Sequence, residues 1–422
     1  MRKTEYPNLG EGVYRTTLQN GLQVVVVPKP GFTRKLAYFV TDFGSIHTDF
    51  ELEGKQYHVP AGVAHYLEHK LFELPQRDVM AEFSALGANV NAFTSYDMTA
   101  YYFSCTAHFE ENLHLLLEFV STPWFPKESV EREQGIIDQE IGMCLDAPDS
   151  AIFDRLMEVM YSVHPIRVPI LGSRESIREI TPEILELCHR AFYAPGNMLL
   201  CVVGDVDPEA VSAMAESVLG ENSRPVAKKL RNWQEGMTCS QHLTCQKMEV
   251  AMPTFQLGFK CESIGTGEEA IRQEIIGDLA AEALFGESSG LYLELYEQGL
   301  IDSSFGGGFE TVDGCAMLLC GGDSDDPQKV ADALQQAADK LLSDGISEEA
   351  FLRMKRSALG RRIRDLDSFD STCFRICSYH FSQFDYFRFP SVYAEVTVQQ
   401  VQDFLRRVVT PERAALSIIT PM

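Results

Sequence analysis

His65, Glu68 and His69 are spaced so that a helix would carry all three on one face, because residues three and four apart stack along a helix. Two neutral imidazoles at such positions can grip a single metal ion. A carboxylate one residue before the second histidine can reach a water at that ion, take its proton and hand it to a leaving group. A hydrolytic metal centre needs about three protein ligands and an open position. His65 and His69 supply two, so the third must come from another segment. Glu128 to Leu145 has a helical pattern and offers Glu131, Glu133 and Glu140. Glu133 and Glu140 are seven residues apart and share a face, so they can give one ligand and one acid that steadies the site. An ordinary solvated helix face would also account for these acids. Imidazole and carboxylate donors suit zinc, and cobalt or manganese would fit the same set.

The elements that must carry these groups are partly marked in the chain. Val13 to Leu18 alternates, Asn20-Gly21 turns, and Leu22 to Val27 is β-branched, which predicts a hairpin. Lys35 to Thr41 reads as a further strand, and a polar loop follows. Pro60-Ala61-Gly62 opens the helix with the two histidines. Asp78 is placed to cap a helix that runs through Leu86 and stops at Gly87. Asn89 to Phe103, rich in aromatics and threonine, reads as strand, and Phe109 to Val120 as helix.

One pattern occurs twice. Thr181-Pro182-Glu183 starts a helical stretch that reaches Pro195 and then the apolar run Leu199 to Val203. Thr397-Val398-Gln399 starts another that reaches Pro411 and then Leu416 to Ile419, with the same Thr-to-Pro spacing. Such a unit near the end of each half implies a duplicated domain. The polar stretch Gly220 to Gly236 is the expected join, which gives domains at 1–222 and 237–422.

The formal net charge of −25 argues against nucleic acid, whose phosphates need a basic footprint. It would draw basic peptides, although solubility alone accounts for it. Eleven scattered cysteines form no C-x-x-C pair, which is the usage of reduced thiols and a cytoplasmic home. Met1 to Tyr14 has no apolar signal stretch, and no apolar run reaches the roughly 18 residues that span a bilayer, so no membrane role is expected.

Gly62 to Glu73, with His65-Tyr66-Leu67-Glu68-His69 inside it, resembles the insulinase/pitrilysin family of zinc metallopeptidases, the inverted His-x-x-Glu-His type. Gly87 to Ser95, Val130 to Glu140 and Leu199 to Val206 resemble that family's later blocks, in its order. The short bacterial members similar to the mitochondrial processing peptidase beta subunit are nearest in pattern. The resemblance implies an α+β fold of two structurally similar domains, each a mixed, mainly antiparallel sheet faced by helices. The second domain would be a degenerate copy.

It further implies zinc held by His65, His69 and Glu140, with Glu68 as catalytic base and Glu133 supporting the site. Asn91, Ala92, Phe93 and Thr94 match the edge strand on which the family lays an extended substrate. Active members carry an Arg and, seven residues on, a Tyr in the second domain. The matching stretch here, Ser288 to Asp302, has Tyr296 near the first position and Asp302 at the second. An acid there cannot donate to an oxyanion as a phenol does.

The expectation is therefore a zinc endopeptidase of peptides or precursor leaders. It would be the metal-bearing subunit of a heterodimer whose homologous partner lacks zinc but supplies Arg and Tyr. A self-paired homodimer would need another donor, and Arg361, Arg362 and Tyr379 are the residues to examine. A non-catalytic binding or assembly protein that keeps the fold is the opposite class.

Overall fold

The computed structural model describes all 422 residues. It divides into two compact units. One comprises residues 1–141, 169–232 and 363–381, and the other 142–168, 233–362 and 382–422. Neither unit is a continuous stretch of chain, so a single cut near Gly220 to Gly236 does not describe them. The join region does hold one of the crossings, between Asn232 and Trp233.

The first unit is built on a seven-stranded sheet. Its strands are β1 (Arg2–Tyr6), β2 (Glu11–Thr17), β3 (Gln23–Pro28), β4 (Lys35–Thr41), β5 (Asn89–Thr94), β6 (Thr99–Cys105) and β7 (Met198–Gly204). They lie in the order β1-β2-β3-β7-β4-β6-β5, with only β3 and β7 parallel. Registered pairs place Val24, Leu200, Phe39, Tyr101 and Ala92 in one row across five strands. This row faces the main apolar core. Every residue of β7 is buried, as its unbroken apolar run requires of a strand covered on both faces.

The segment Asn89 to Phe103 is two strands rather than one. The Ser95 hydroxyl accepts from the Asp97 and Met98 N–H groups and closes a tight turn between them. The polar loop after β4 likewise contains a short hairpin, Asp49–Leu52 with Lys55–His58, turned at Glu53-Gly54. Its anchors, Phe50 and Leu52, are buried in the core.

The second unit repeats the plan. Its strands are β8 (Leu243–Met248), β9 (Thr254–Cys261), β10 (Gly306–Val312), β11 (Cys315–Asp323) and β12 (Ala414–Pro421). They run in the order β8-β12-β9-β11-β10, and only β8 and β12 are parallel. That is the topology of β3-β7-β4-β6-β5. The expected architecture of two similar mixed, mainly antiparallel sheets faced by helices is therefore what the protein has.

Seven helices matter below: α1 (Val63–Leu71), α2 (Lys127–Asp146), α3 (Pro148–Met160), α4 (Pro182–Phe192), α5 (Gly267–Phe285), α6 (Phe369–Phe381) and α7 (Val398–Val408). The repeat legible in the sequence is α4 then β7 and α7 then β12. Each helix has a threonine N-cap, and each is followed by a 3₁₀ turn that begins at proline. Helix α3 packs on β9 and β12, whereas α6 packs on β4 and β7. Each sheet thus receives a helix from the other half of the chain.

Candidate metal centre

Helix α1 starts abruptly because of glycine. Gly62 takes φ 89°, and a Cβ there would lie 2.3 Å from the Leu171 carbonyl oxygen. The chain can pass the Leu171 loop only without a side chain. Pro60 therefore lies outside the helix rather than in its first turn, and accepts from the Val63 N–H. Tyr66, Leu67 and Leu71 are buried in the core and fix the helix, and the Tyr66 hydroxyl donates to the Val130 carbonyl of α2. With the two helices docked, the face bearing His65, Glu68 and His69 is turned to α2.

Glu140 is the acid that meets both histidines. Its carboxylate oxygens lie 3.6 Å from His65 Nε2 and 3.5 Å from His69 Nε2. One donor atom from each of the three residues lies within 4.8 Å of the other two. Glu133, two turns earlier, sits on the opposite edge of the same ring: its Oε1 is 3.0 Å from His69 Nδ1. A carboxylate accepts, so Nδ1 carries the proton and Nε2 of His69 presents its lone pair. Glu131, the third acid on this stretch, is exposed and faces Lys127 at 3.7 Å.

Donors around a tetrahedral zinc at about 2.0–2.1 Å are roughly 3.3–3.4 Å apart, so the observed separations fit a shared cation. They are too long for direct hydrogen bonds between the groups. His65 Nδ1 is buried without a hydrogen-bond partner, which leaves its Nε2 as that ring's outlet. Two imidazoles and a carboxylate that converge without bonding one another form a set suited to zinc.

Electrostatics sort the remaining groups. Burial raises the Glu68 carboxyl above the usual range, opposed by the Thr94 hydroxyl, which donates to Oε2 at 2.5 Å, and by both histidines. Burial pulls His69 down, but the Glu133 hydrogen bond and the charges of Glu140 and Glu68 outweigh it, and the net shift is upward. The His65 imidazole beside it holds Glu140 below the ordinary carboxylate range, against burial, and His69 adds to this.

Asn91 to Thr94 lie on β5, whose far side pairs with no strand, so this is an open sheet edge beside α1. Ser95 N–H donates to Met98 O, and alternation from that pair directs the main-chain groups of Ala92 and Thr94 to the open edge. The Asn91 side chain accepts from the Ala92 N–H at 2.9 Å. Phe93 lies on the other face, 6.0 Å from Phe374 of α6.

Two neighbours of the site make contacts that the sequence reading did not foresee. Thr94 was assigned to substrate binding, yet its hydroxyl holds Glu68. Its parity with Val90 and Ala92, which pack on the core side, was the available signal. Lys70, in the last turn of α1, is wholly buried beside Glu133, a contact between distant segments that no local pattern marks.

The stretch expected to carry Arg and Tyr lies in the second unit. Tyr296 is 53% exposed on the helix Gly290–Glu297, and Asp302 is exposed just after it. Hydrogen bonds from Ser304 keep the Asp302 carboxyl below its usual range. Arg361 and Arg362 are engaged by Glu282 at 2.9 Å and Glu274 at 2.6 Å, and Tyr379 is buried. His164, for which no chemistry was expected, is buried and meets the Asp313 carbonyl through Nε2 at 3.0 Å.

Comparison with known proteins agrees with this geometry. The profile of the insulinase family (peptidase family M16) matches residues 55–174, and that of the peptidase M16 inactive domain matches 179–358. YmfH of Bacillus subtilis (strain 168), an uncharacterized zinc protease, is 36% identical over 100% of this chain and 99% of its own. This chain belongs to peptidase family M16. The mitochondrial-processing peptidase subunit beta of Caenorhabditis elegans, another relative, is 31% identical over 49% of this chain and 44% of its own. A crystal structure of an M16-like protein from Alicyclobacillus acidocaldarius superposes with a TM-score of 0.94 at 32% identity, over 98% of this chain and 99% of that one. The M16 profiles divide the chain between 174 and 179, after the segment that carries His65, His69 and Glu140.

Proposed function

We propose that this M16 protein is a zinc-dependent endopeptidase acting on peptides or precursor leader segments. The observation that carries the reading is the convergence of His65, His69 and Glu140 on one point, with Glu68 beside them. Zinc held by these three would supply Lewis acidity at the scissile carbonyl. Glu68 takes the proton of the attacking water and returns it to the leaving amine, and burial, by raising its pKa, suits it to both steps. Thr94 fixes the carboxylate through Oε2 and leaves Oε1 for the water. Glu133 keeps His69 in the Nδ1–H tautomer. An extended peptide adds to β5 through the outward main-chain groups of Ala92 and Thr94, with Asn91 and Phe93 beside it.

In this reading residues 1–222 are the zinc-binding catalytic domain and 237–422 a degenerate homologous one. The match of residues 179–358 to the M16 inactive domain supports a second half without its own centre. Tyr296 and Asp302 stand where the family has Arg and Tyr, so the oxyanion donors come from a homologous subunit that lacks zinc. The beta-subunit name of the Caenorhabditis relative supports a paired assembly. A self-dimer is the second arrangement, and a non-catalytic assembly protein the second function. Eleven cysteines, none of them in a disulfide, support a cytoplasmic setting. No helix is long and apolar enough to cross a membrane.

The test uses two substitutions. Glu68→Gln should bind zinc as the wild type does and lose at least about 100-fold in peptide hydrolysis, whereas His65→Ala should lose the metal. Wild-type turnover by Glu68→Gln would dismiss the assigned base. Titrating a zinc-free M16 homologue into the pure chain should raise turnover. Full activity from the chain alone would rule out the heterodimer.

A further inference from the structure

We infer that Lys70 is a positioning residue of the metal centre: acting through Glu133, it sets the His69 ring and so the affinity for zinc. The inference rests on the reading of His65, His69 and Glu140 as zinc ligands.

Lys70 directly follows His69 on α1, and its side chain is 0% exposed. A buried ammonium is costly unless every proton finds an acceptor. One goes to Ser129 Oγ at 2.5 Å and another to Glu73 Oε2 at 2.8 Å. The third side of the ammonium faces Glu133 Oε2 at 3.7 Å. Glu133 is thereby divided: Oε2 looks to Lys70, while Oε1 takes Nδ1–H of His69 at 3.0 Å. The same ring offers Nε2 to the point it shares with Glu140 at 3.5 Å.

Behind Lys70 the array continues. Ser129 donates to Glu73, and Arg132 lies 2.8 Å from Glu73 Oε1. Charges therefore alternate from Arg132 through Glu73 and Lys70 to Glu133, and the row ends on the imidazole. Lys70 and Glu73 belong to α1 and the strand just after it, and the other members to α2, so a secured array also ties the two ligand-bearing helices together. Without the ammonium, the Glu133 carboxylate would sit buried with a single partner. It would then turn from Nδ1, and the tautomer and tilt of His69 would no longer be set.

A purely structural lysine is the competing account, because its two shortest contacts, to Ser129 and Glu73, bypass the metal. The two accounts differ in zinc affinity and in coupling to Glu133. Zinc dissociation constants of metal-free wild type, Lys70→Met, Glu133→Gln and the double variant would be measured against a chromophoric chelator. Circular dichroism and melting of the metal-free forms would be recorded alongside.

Lys70→Met should bind zinc about 10–100-fold more weakly while melting cooperatively. The double variant should bind no more weakly than Glu133→Gln alone. Affinity of Lys70→Met within twofold of wild type overturns the inference, and so do losses that simply multiply in the double variant. If Lys70→Met does not fold, Lys70→Gln, which keeps a donor for Ser129, is read in its place. Failure of both to fold would establish the structural role instead. A wild type that takes up no zinc would sink the function proposed above. A wild type that binds, beside an equally competent Lys70→Met, would sink only the role of Lys70.

Discussion

His189 shows how a single buried side chain sets a property of the protein. It lies on α4, which packs on α1, and its Nε2 is 3.0 Å from the Val120 carbonyl. A carbonyl only accepts, so the ring is the neutral tautomer with the proton on Nε2. Burial pushes its pKa down to about 4. An unfolded chain would titrate it at about 6.5. Between these values the unfolded state binds a proton that the folded state refuses, so stability falls as the pH drops from about 6.5 to about 4 and levels off below that. The slope is about 1.4 kcal/mol per pH unit. From pH 7.5 to pH 5, urea unfolding should show wild type losing about 2 kcal/mol more than His189→Gln, which keeps a donor for Val120. Equal losses would mean that His189 is protonated without penalty in the fold. At this scale the sequence showed His65, Glu68 and His69 because helical periodicity is local. It gave no sign that His189 is buried or that Lys70 lies against Glu133, since those contacts join distant segments.

Among the elements, β5 carries the most testable consequence. The outward N–H of Ala92 is satisfied by Asn91 in the same strand, and an added peptide strand would take its place. Proline is tolerated on an edge strand where the N–H makes no ladder bond. Ala92→Pro should therefore keep the sheet and its circular dichroism, yet lose about tenfold in kcat/KM, the worth of one main-chain hydrogen bond. Unchanged kcat/KM would place the peptide elsewhere. The strands of the first hairpin, the two Thr-capped helices and the α2 helix were all legible in alternation, caps and helical period. The β5–β6 turn was hidden because Ser95 to Met98 contains neither glycine nor proline, and Ser95 closes the turn with its hydroxyl. The hairpin at Asp49 to His58 was hidden by its charged residues, which mask the two buried anchors Phe50 and Leu52.

For the whole molecule, the metal should act as a fold ligand. His65, His69 and Glu140 all belong to the first unit, and they come from segments about seventy residues apart in the chain. A ligand that binds only the folded state stabilises it by about 2.7 kcal/mol at a free concentration 100 times its dissociation constant. For a unit of this size that corresponds to roughly 5–10 °C in melting temperature. Zinc added to chelator-stripped wild type should produce such a rise in calorimetry, and His65→Ala should show none. A wild type indifferent to zinc would remove the metal from the folded site.

The sequence alone determined what neighbours along the chain can determine. It held the spacing that brings two imidazoles and a carboxylate to one helix face, the capped helices, the hairpin, the duplicated helix-proline-strand unit and the blocks that mark an M16 protein. These are short-range regularities of backbone period and turn chemistry, written in consecutive residues. Tertiary structure decided the rest. It turned Glu140 to the two Nε2 atoms and Glu133 to Nδ1, set Thr94 on Glu68 and Lys70 behind Glu133, and gave each sheet a helix from the other half of the chain. The physical reason is that either acid on α2 satisfies the same local pattern. Only the docking of α1 against α2, through Tyr66 and the apolar residues around it, gives the two carboxylates different partners.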